Sequence, residues 1–137
     1  MAFHPYLFFG GTCRDAFTRY EEIFGGELFL LRMGDAPSDE PVPEDKADLV
    51  IHAAITIGDA LLMGSDDPTG DGGPKVGSAV VYTSDDAGKG EAIFAKLAEG
   101  GEITGPFGPT FWSKGFGMCT DRFGVPWMVD TAGEPPA

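Results

Sequence analysis

The chain of 137 residues runs through one order of elements twice, and this duplication restricts its fold more than any other feature. An apolar segment leads into an amphipathic helical pattern, the pattern stops at a glycine pair followed by glutamate, and further strand-like segments close the unit. The stop reads Gly25-Gly26-Glu27 in the first copy and Gly100-Gly101-Glu102 in the second. Two copies of one supersecondary unit must each hide an apolar face in the same way, so the architecture of one predicts that of the other.

In the first copy, residues 3–9 are rich in aromatic side chains and carry Pro5 near their start, which suits a strand beginning at a sheet edge. Thr12 with Asp15 forms an approximate capping box for a helix whose apolar positions Ala16, Phe17, Tyr20, Ile23 and Phe24 share one face. Residues 27–33 read as a strand, and 49–57 with 60–65 as a hairpin turning at Gly58-Asp59. In the second copy a strand over 78–82 precedes a helix capped by Asp85 or Asp86, with Ile93, Phe94, Leu97 and Ala98 on its buried face. Strands over 115–121 and 125–131 then turn at Gly124, which aligns Phe123-Gly124 with Ile57-Gly58. The reading is α+β, with two βαβββ modules of about 1–68 and 76–131 in a single domain, 1–137. One helix covers only one face of a four-stranded sheet, so the modules are expected to form a curved mixed sheet around a concave cavity, and function is expected in that concavity.

Charge narrows the partners. With 22 acidic residues against 9 basic ones, the net charge of −13 repels nucleic acid and anionic lipid, so neither is expected as a partner. Much of the charge lies in 34–48, where acidic residues alternate with Pro37, Pro41 and Pro43, the composition of a solvated loop. No apolar run is long enough to span a bilayer and no export signal is evident, so a soluble cytoplasmic protein is expected. Cys13 and Cys119 form neither a disulfide framework nor a Cys-x-x-Cys pair, which suits a reducing compartment. Cys13 falls just inside a helix N-terminus, where the dipole favours a thiolate, but packing is the default reading and a reactive role the alternative.

The stretch Phe111-Trp112-Ser113-Lys114-Gly115-Phe116-Gly117, followed by Thr120-Asp121-Arg122-Phe123-Gly124-Val125-Pro126-Trp127-Met128, resembles the PhnB-like branch of the glyoxalase/bleomycin-resistance/dioxygenase (vicinal oxygen chelate) superfamily. Pro5-Tyr6-Leu7-Phe8-Phe9 and the His52 strand ending in Ser65-Asp66 fit the same branch, so the resemblance spans nearly the whole chain. It implies small-molecule binding and a homodimer, to which the open sheet edges also point. Members of this branch have been labelled methyltransferases, but the chain has no glycine-rich strand-to-helix turn of the kind that binds a nucleotide-like cofactor, and no cofactor is expected. In metal-dependent relatives the ligands come from the first and last strands of each module. Helix and turn anchors put those places at Pro5, Leu62, Ala79 and Met128; allowing a slip of one residue adds His4, Tyr6, Met63, Ser78 and Trp127, of which only His4 is an ordinary ligand. No metal site is expected.

Strand alternation places Ile51, Ala53, Ile55 and Ile57 against the helix and leaves His52, Ala54 and Thr56 in the concavity. The internal match adds Met118 and Thr120, with Pro5, Leu7, Leu62, Ala79 and Met128 from the outer strands, giving an apolar cavity with one titratable ring. The irregular, aromatic-rich 105–117 segment contributes Trp112 and Phe116 as a rim, or fills a dimer interface or core instead. Lys114 is a solvated lysine or a counter-charge, and Asp121 with Arg122 belongs to a tight turn. The ligand-binding set is thus His52, Thr56, Leu7, Leu62, Trp112, Phe116, Met118, Thr120 and Met128, with His52 as the one candidate for catalysis; a satisfied structural histidine is the other reading of His52. Three readings remain: a metal-free site for an apolar small molecule; a metal-dependent lyase, isomerase or dioxygenase using His4 or His52; and a dimeric interaction protein with no ligand.

Overall fold

The computed structural model describes residues 2–36, 41–67 and 74–133. It divides into two units, Met1–Gly73 and Pro74–Ala137, each taken by itself below. The first contains β1 (Tyr6–Phe9), α1 (Cys13–Phe24), β2 (Glu27–Arg32), β3 (Val50–Ile57) and β4 (Ala60–Asp66). The second contains β5 (Val80–Ser84), α2 (Ala87–Ala98), β6 (Glu102–Gly108), β7 (Phe116–Thr120) and β8 (Pro126–Thr131). Their mixed sheets have the same topology, β1-β4-β3-β2 and β5-β8-β7-β6, with the first strand parallel to the last and the other neighbours antiparallel. The α+β class and the repeated βαβββ order are therefore those read from the duplication.

Each helix packs on one face of its own sheet. In the first unit Ala16, Phe17, Tyr20 and Ile23 of α1 are buried, as the apolar face predicts, together with Leu7, Phe9, Ala53, Ile55 and Leu62 from the sheet. Phe17 meets Phe9 and Tyr20 edge-on at centroid distances of 6.1 and 5.6 Å. Gly64 lies directly beneath that ring, where a Cβ would come within 2.8 Å of Phe17. In the second unit Phe94 and Leu97 are buried with Cys119, Trp127 and Val129, whereas Ile93 and Ala98 are only half-buried.

The capping box does not form. The Thr12 side chain makes no cap bond; Asp66, at the end of β4, takes its place, its Oδ1 accepting the backbone N–H groups of Gly11 and Cys13 at 3.0 Å each. Its Oδ2 accepts the N–H of Val50 at 2.9 Å, so one buried carboxylate ties the start of α1 to β3, with its charge at the favourable end of the helix dipole. At α2 the cap is local: Asp86, not Asp85, accepts the Lys89 N–H at 2.9 Å.

The glycine pairs have two separate jobs. Gly25 and Gly100 adopt positive φ, 75° and 78°, and end their helices. The second glycine of each pair lets the next strand approach its neighbour: a Cβ on Gly26 would strike the carbonyl oxygen of Thr56, and one on Gly101 that of Thr120. Thr56 and Thr120 are thus equivalent, as their partners Glu27 and Glu102 confirm. This corrects the alignment of Ile57-Gly58 with Phe123-Gly124. Residues 57–60 link Thr56 to its partner Leu61, but 121–125 link Thr120 to Pro126, one residue more. Asp121 builds the longer turn: Oδ1 accepts the N–H groups of Phe123 and Val125, and Oδ2 accepts Trp127 Nε1–H, all at 2.9 Å.

Both cysteines are buried and neither is in a disulfide, so the packing reading of Cys13 is the one the structure fits. Burial, with the Asp121 charge adding to it, pushes the Cys119 thiol up from 9.0 to about 11. A thiol reagent at pH 8 is expected to label neither cysteine before unfolding. Because the raised pKa favours the protonated folded form, stability is expected to fall as pH rises from 9.0 through about 11, and Cys119→Ala to flatten that slope in alkaline denaturation curves.

The connection after β2 holds part of the acidic segment. Met33 and Gly34 donate their N–H groups to Leu49 and Ala47 carbonyls, and Arg32 bridges Asp35 and Asp48 at 2.8 and 2.7 Å, exposed pairs that contribute little. Residues 37–40, with Pro37, Asp39 and Glu40, and residues 68–73 of the Asp- and Gly-rich 66–77 link lie outside the described residues.

Candidate functional site

The register fixes which side chains leave each sheet on the face away from its helix. In the first unit Ala53 pairs with Gly64 and Ile55 with Leu62, so these and their β1 neighbour Leu7 point at α1. Leu7 and Leu62, expected in the concavity, are therefore core residues, 8% and 9% exposed. The shift has a simple origin: the alignment through Gly58 and Gly124 ignored the extra turn residue, which moved β4 by one position and so to the other face. The open face instead carries the row Tyr6, Met63, Ala54 and Phe29, and beside it Phe8, Ser65, His52 and Leu31. Thr56 lies on the same face and is exposed. A β-bulge at Leu31/Arg32 changes the alternation near the start of β3, so Val50 is buried and Ile51, assigned to the helix side, is only half-buried.

His52 is the polar centre of this face. Its imidazole is stacked on Tyr6 at 5.9 Å and 29° and tilted against Phe29 at 6.3 Å, and Tyr6 in turn lies 5.2 Å from Phe8. Tyr6 Oη is 3.4 Å from His52 Nδ1, a long contact in which the hydroxyl donates to one tautomer and accepts from the other. Tyr6, Phe8 and Phe29 are 37%, 57% and 54% exposed, unusual for rings gathered around an imidazole on one sheet face. Tyr6 entered the sequence reading only as a possible neighbour of a metal position, and Phe8 and Phe29 not as site residues. The signal that sets the phase was Gly64, a small residue within an apolar strand and so a mark of close approach by the helix.

In the second unit the open face carries Val81, Met128 and Met118, and beside them Thr83, Asp130 and Phe116, with Thr120 beyond. Met118, Thr120 and Met128 thus lie on the face expected of them, while Phe116, expected as a rim residue of an irregular segment, is the first residue of β7 on that same face. Trp112 sits in the segment before β7, 46% exposed, with Phe116 and Phe111 at 5.3 and 4.8 Å from it. Lys114 is exposed, as are His4, Pro5 and Ala79. Asp130 was missed: it adds a carboxylate where an apolar surface was expected.

These positions bear on the metal chemistry that the resemblance implies. On the outer strands, Tyr6 and Met63 form the open-face pair in one unit and Val81 and Met128 in the other. None of the four is a histidine, glutamine or carboxylate, and among the described residues no three His, Cys, Asp or Glu side chains gather as a metal site would require. The residues do not fit the ion.

The chain is similar to known proteins along its length. The profile of the Glyoxalase/Bleomycin resistance protein/Dioxygenase superfamily matches residues 2–129. Protein YjdN of Escherichia coli (strain K12) is 34% identical over 147 residues, covering 99% of each chain. The crystal structure of protein PA1353 from Pseudomonas aeruginosa superposes with a TM-score of 0.87 at 41% identity, covering 96% of this chain and 97% of that one. A Bacillus cereus protein described as a putative 3-demethylubiquinone-9 3-methyltransferase, PhnB protein, gives 0.75 at 27% identity, covering 96% and 100%. Among the described residues no helix is long and apolar enough to cross a membrane.

Proposed function

The chain belongs to the glyoxalase/bleomycin resistance/dioxygenase superfamily, in its PhnB-like branch, and from that premise we propose that it binds a neutral aromatic or apolar small molecule on the open face around His52, without a metal. The observation that carries this reading is the partly exposed imidazole bracketed by the rings of Tyr6 and Phe29. Aromatic walls give a flat ligand stacking area with little ordering cost, and the imidazole supplies one hydrogen bond to fix its orientation. Thr56, on the same strand and face, offers a second polar contact.

A metal-dependent lyase, isomerase or dioxygenase finds no support in the residues at the outer strands. Nor does the methyltransferase description of the Bacillus cereus protein carry over. The N-terminus of α1, where a nucleotide-like cofactor would need free donors, has the Gly11 and Cys13 N–H groups engaged by Asp66. The same reading extends to a cytoplasmic homodimer of single-domain chains, with the edge strands as the surfaces a second copy would cover.

The test is a thermal-shift screen with neutral one- and two-ring aromatic compounds, since a ligand that binds only the folded chain raises its melting temperature. At least one compound is expected to stabilise the wild type. His52→Ala is expected to lose that shift while its own stability stays within about 1 kcal/mol of wild type, because no short buried hydrogen bond is lost. Full retention of the shift would remove His52 from the site, and stoichiometric zinc, iron or manganese in protein purified without a histidine tag would overturn the metal-free reading.

A further inference from the structure

On the second sheet, Asp130 stands on the open face, and its Oδ1 is shut off from solvent with no donor in reach among the described residues, although the residue as a whole is only half-buried. That enclosed oxygen is beyond a ligand's reach, but Oδ2 is not enclosed, and a carboxylate desolvated on one side and without a donor gains when a cation meets its open oxygen. The sheet offers no counter-charge: none of β5, β6, β7 and β8 contains a lysine, arginine or histidine. What it does offer is an aromatic wall. Asp130 pairs with Thr83 on one side, and continuing the Gly117 to Val129 register puts Phe116 opposite it on the other.

Phe116 does not stand alone. Trp112 meets it edge-on, and the segment that carries Trp112 is held in place. Thr110 N–H donates to the Ser113 carbonyl, Thr110 Oγ1 accepts the Ser113 N–H at 3.0 Å, and Ser113 Oγ and Thr131 Oγ1 both donate to the Gly115 carbonyl. Met118 and Met128, partners in register, extend the apolar surface beside the carboxylate.

We propose that this face is a binding site for an organic ammonium with an apolar body: Asp130 receives the cationic nitrogen, and Phe116 with Trp112 packs against it. The cation fits better than a neutral donor for two reasons. A half-desolvated carboxylate gains most from an opposite charge, and aromatic faces attract a cation through their quadrupole. The chain's net charge of −13 also concentrates cations near its surface. In the first unit the equivalent positions hold Ser65 and His52, so the carboxylate and its ring belong to the second unit alone. The site is independent of the reading around His52.

The experiment compares 2-phenylethylammonium, 2-phenylethanol and 3-phenylpropanoate by calorimetric titration of the full chain. The ammonium is expected to bind about tenfold or more tightly than the alcohol, the carboxylate weakest, with the preference shrinking at high salt. Asp130→Asn is expected to bind ammonium and alcohol equally while melting no lower than wild type, since Oδ1 has no donor to lose. Equal binding by the wild type, or an ammonium preference that survives in Asp130→Asn, overturns the proposal and assigns any preference to bulk charge. Methyl resonances of Met118 and Met128 in the wild type give a measure that needs no variant: they are expected to shift with the ammonium and not with 3-phenylpropanoate, and shifts confined to other residues overturn the site.

Discussion

Asp121→Ala is expected to lower stability by about 3–5 kcal/mol, a large part of the ~5–15 kcal/mol that holds a domain together. The reason is what the carboxylate holds: two backbone N–H groups and Trp127 Nε1–H, with Val125 and Trp127 buried. Each buried donor left without a partner costs about 1–3 kcal/mol, and alanine gives none of them an acceptor. Asp121→Asn separates the roles, because its amide oxygen can still serve the two backbone donors while its NH2 cannot accept from the indole; its loss is expected to be intermediate. Urea titration followed by circular dichroism measures both. A loss within 1 kcal/mol for Asp121→Ala, in the range typical of exposed surface changes, would show that the turn is held by something else.

Gly26→Ala is expected to cost about 2–5 kcal/mol, and Gly25→Ala, at φ 75° and ψ −153°, less, about 1–3. Both glycines have positive φ, but a Cβ on Gly25 meets nothing within 4 Å, whereas one on Gly26 runs into the Thr56 carbonyl and comes within 2.9 Å of the Ile57 side chain. A carbonyl in the middle of a paired strand cannot move aside without breaking the ladder. Gly101→Ala is the same experiment in the other unit: its Cβ would meet the Thr120 carbonyl and lie 2.8 and 2.9 Å from Asp121 backbone atoms. Equal losses for Gly25→Ala and Gly26→Ala would mean that only the backbone angle matters and that close strand approach does not.

These two sites show why the fold was legible and the site only partly so. The helices, their glycine stops and the repeated strand order are local patterns, and Phe17, Tyr20, Phe94 and Leu97 fall where periodicity puts them. Alternation, however, gives a strand's period without its phase. The phase of β4 depends on the length of a turn, and the turn built on Asp121 is one residue longer than its counterpart at Gly58-Asp59. That single residue sent Leu62 to the wrong face and hid Met63; on β1, placing Leu7 in the concavity hid Tyr6. The structural role of Asp66 was equally out of reach, since it caps a helix 53 residues earlier in the chain. His52, Thr56, Met118, Thr120 and Met128 stand on strands whose phase was right, and their faces agree with expectation. Asp130 lies two residues beyond Met128 on the same face and was readable from it, but a carboxylate in an apolar surface had no place in the pattern sought.

The central claim, an aromatic or apolar ligand held at His52 on the open face of the first sheet, is tested most directly by nuclear Overhauser contacts between the chain and the strongest stabiliser from the thermal-shift screen. The account predicts contacts from the ligand to the rings of His52, Tyr6 and Phe29, and none to Leu7 or Leu62, which point at α1. Contacts that bypass His52, or a screen in which no aromatic compound stabilises the chain, would contradict it.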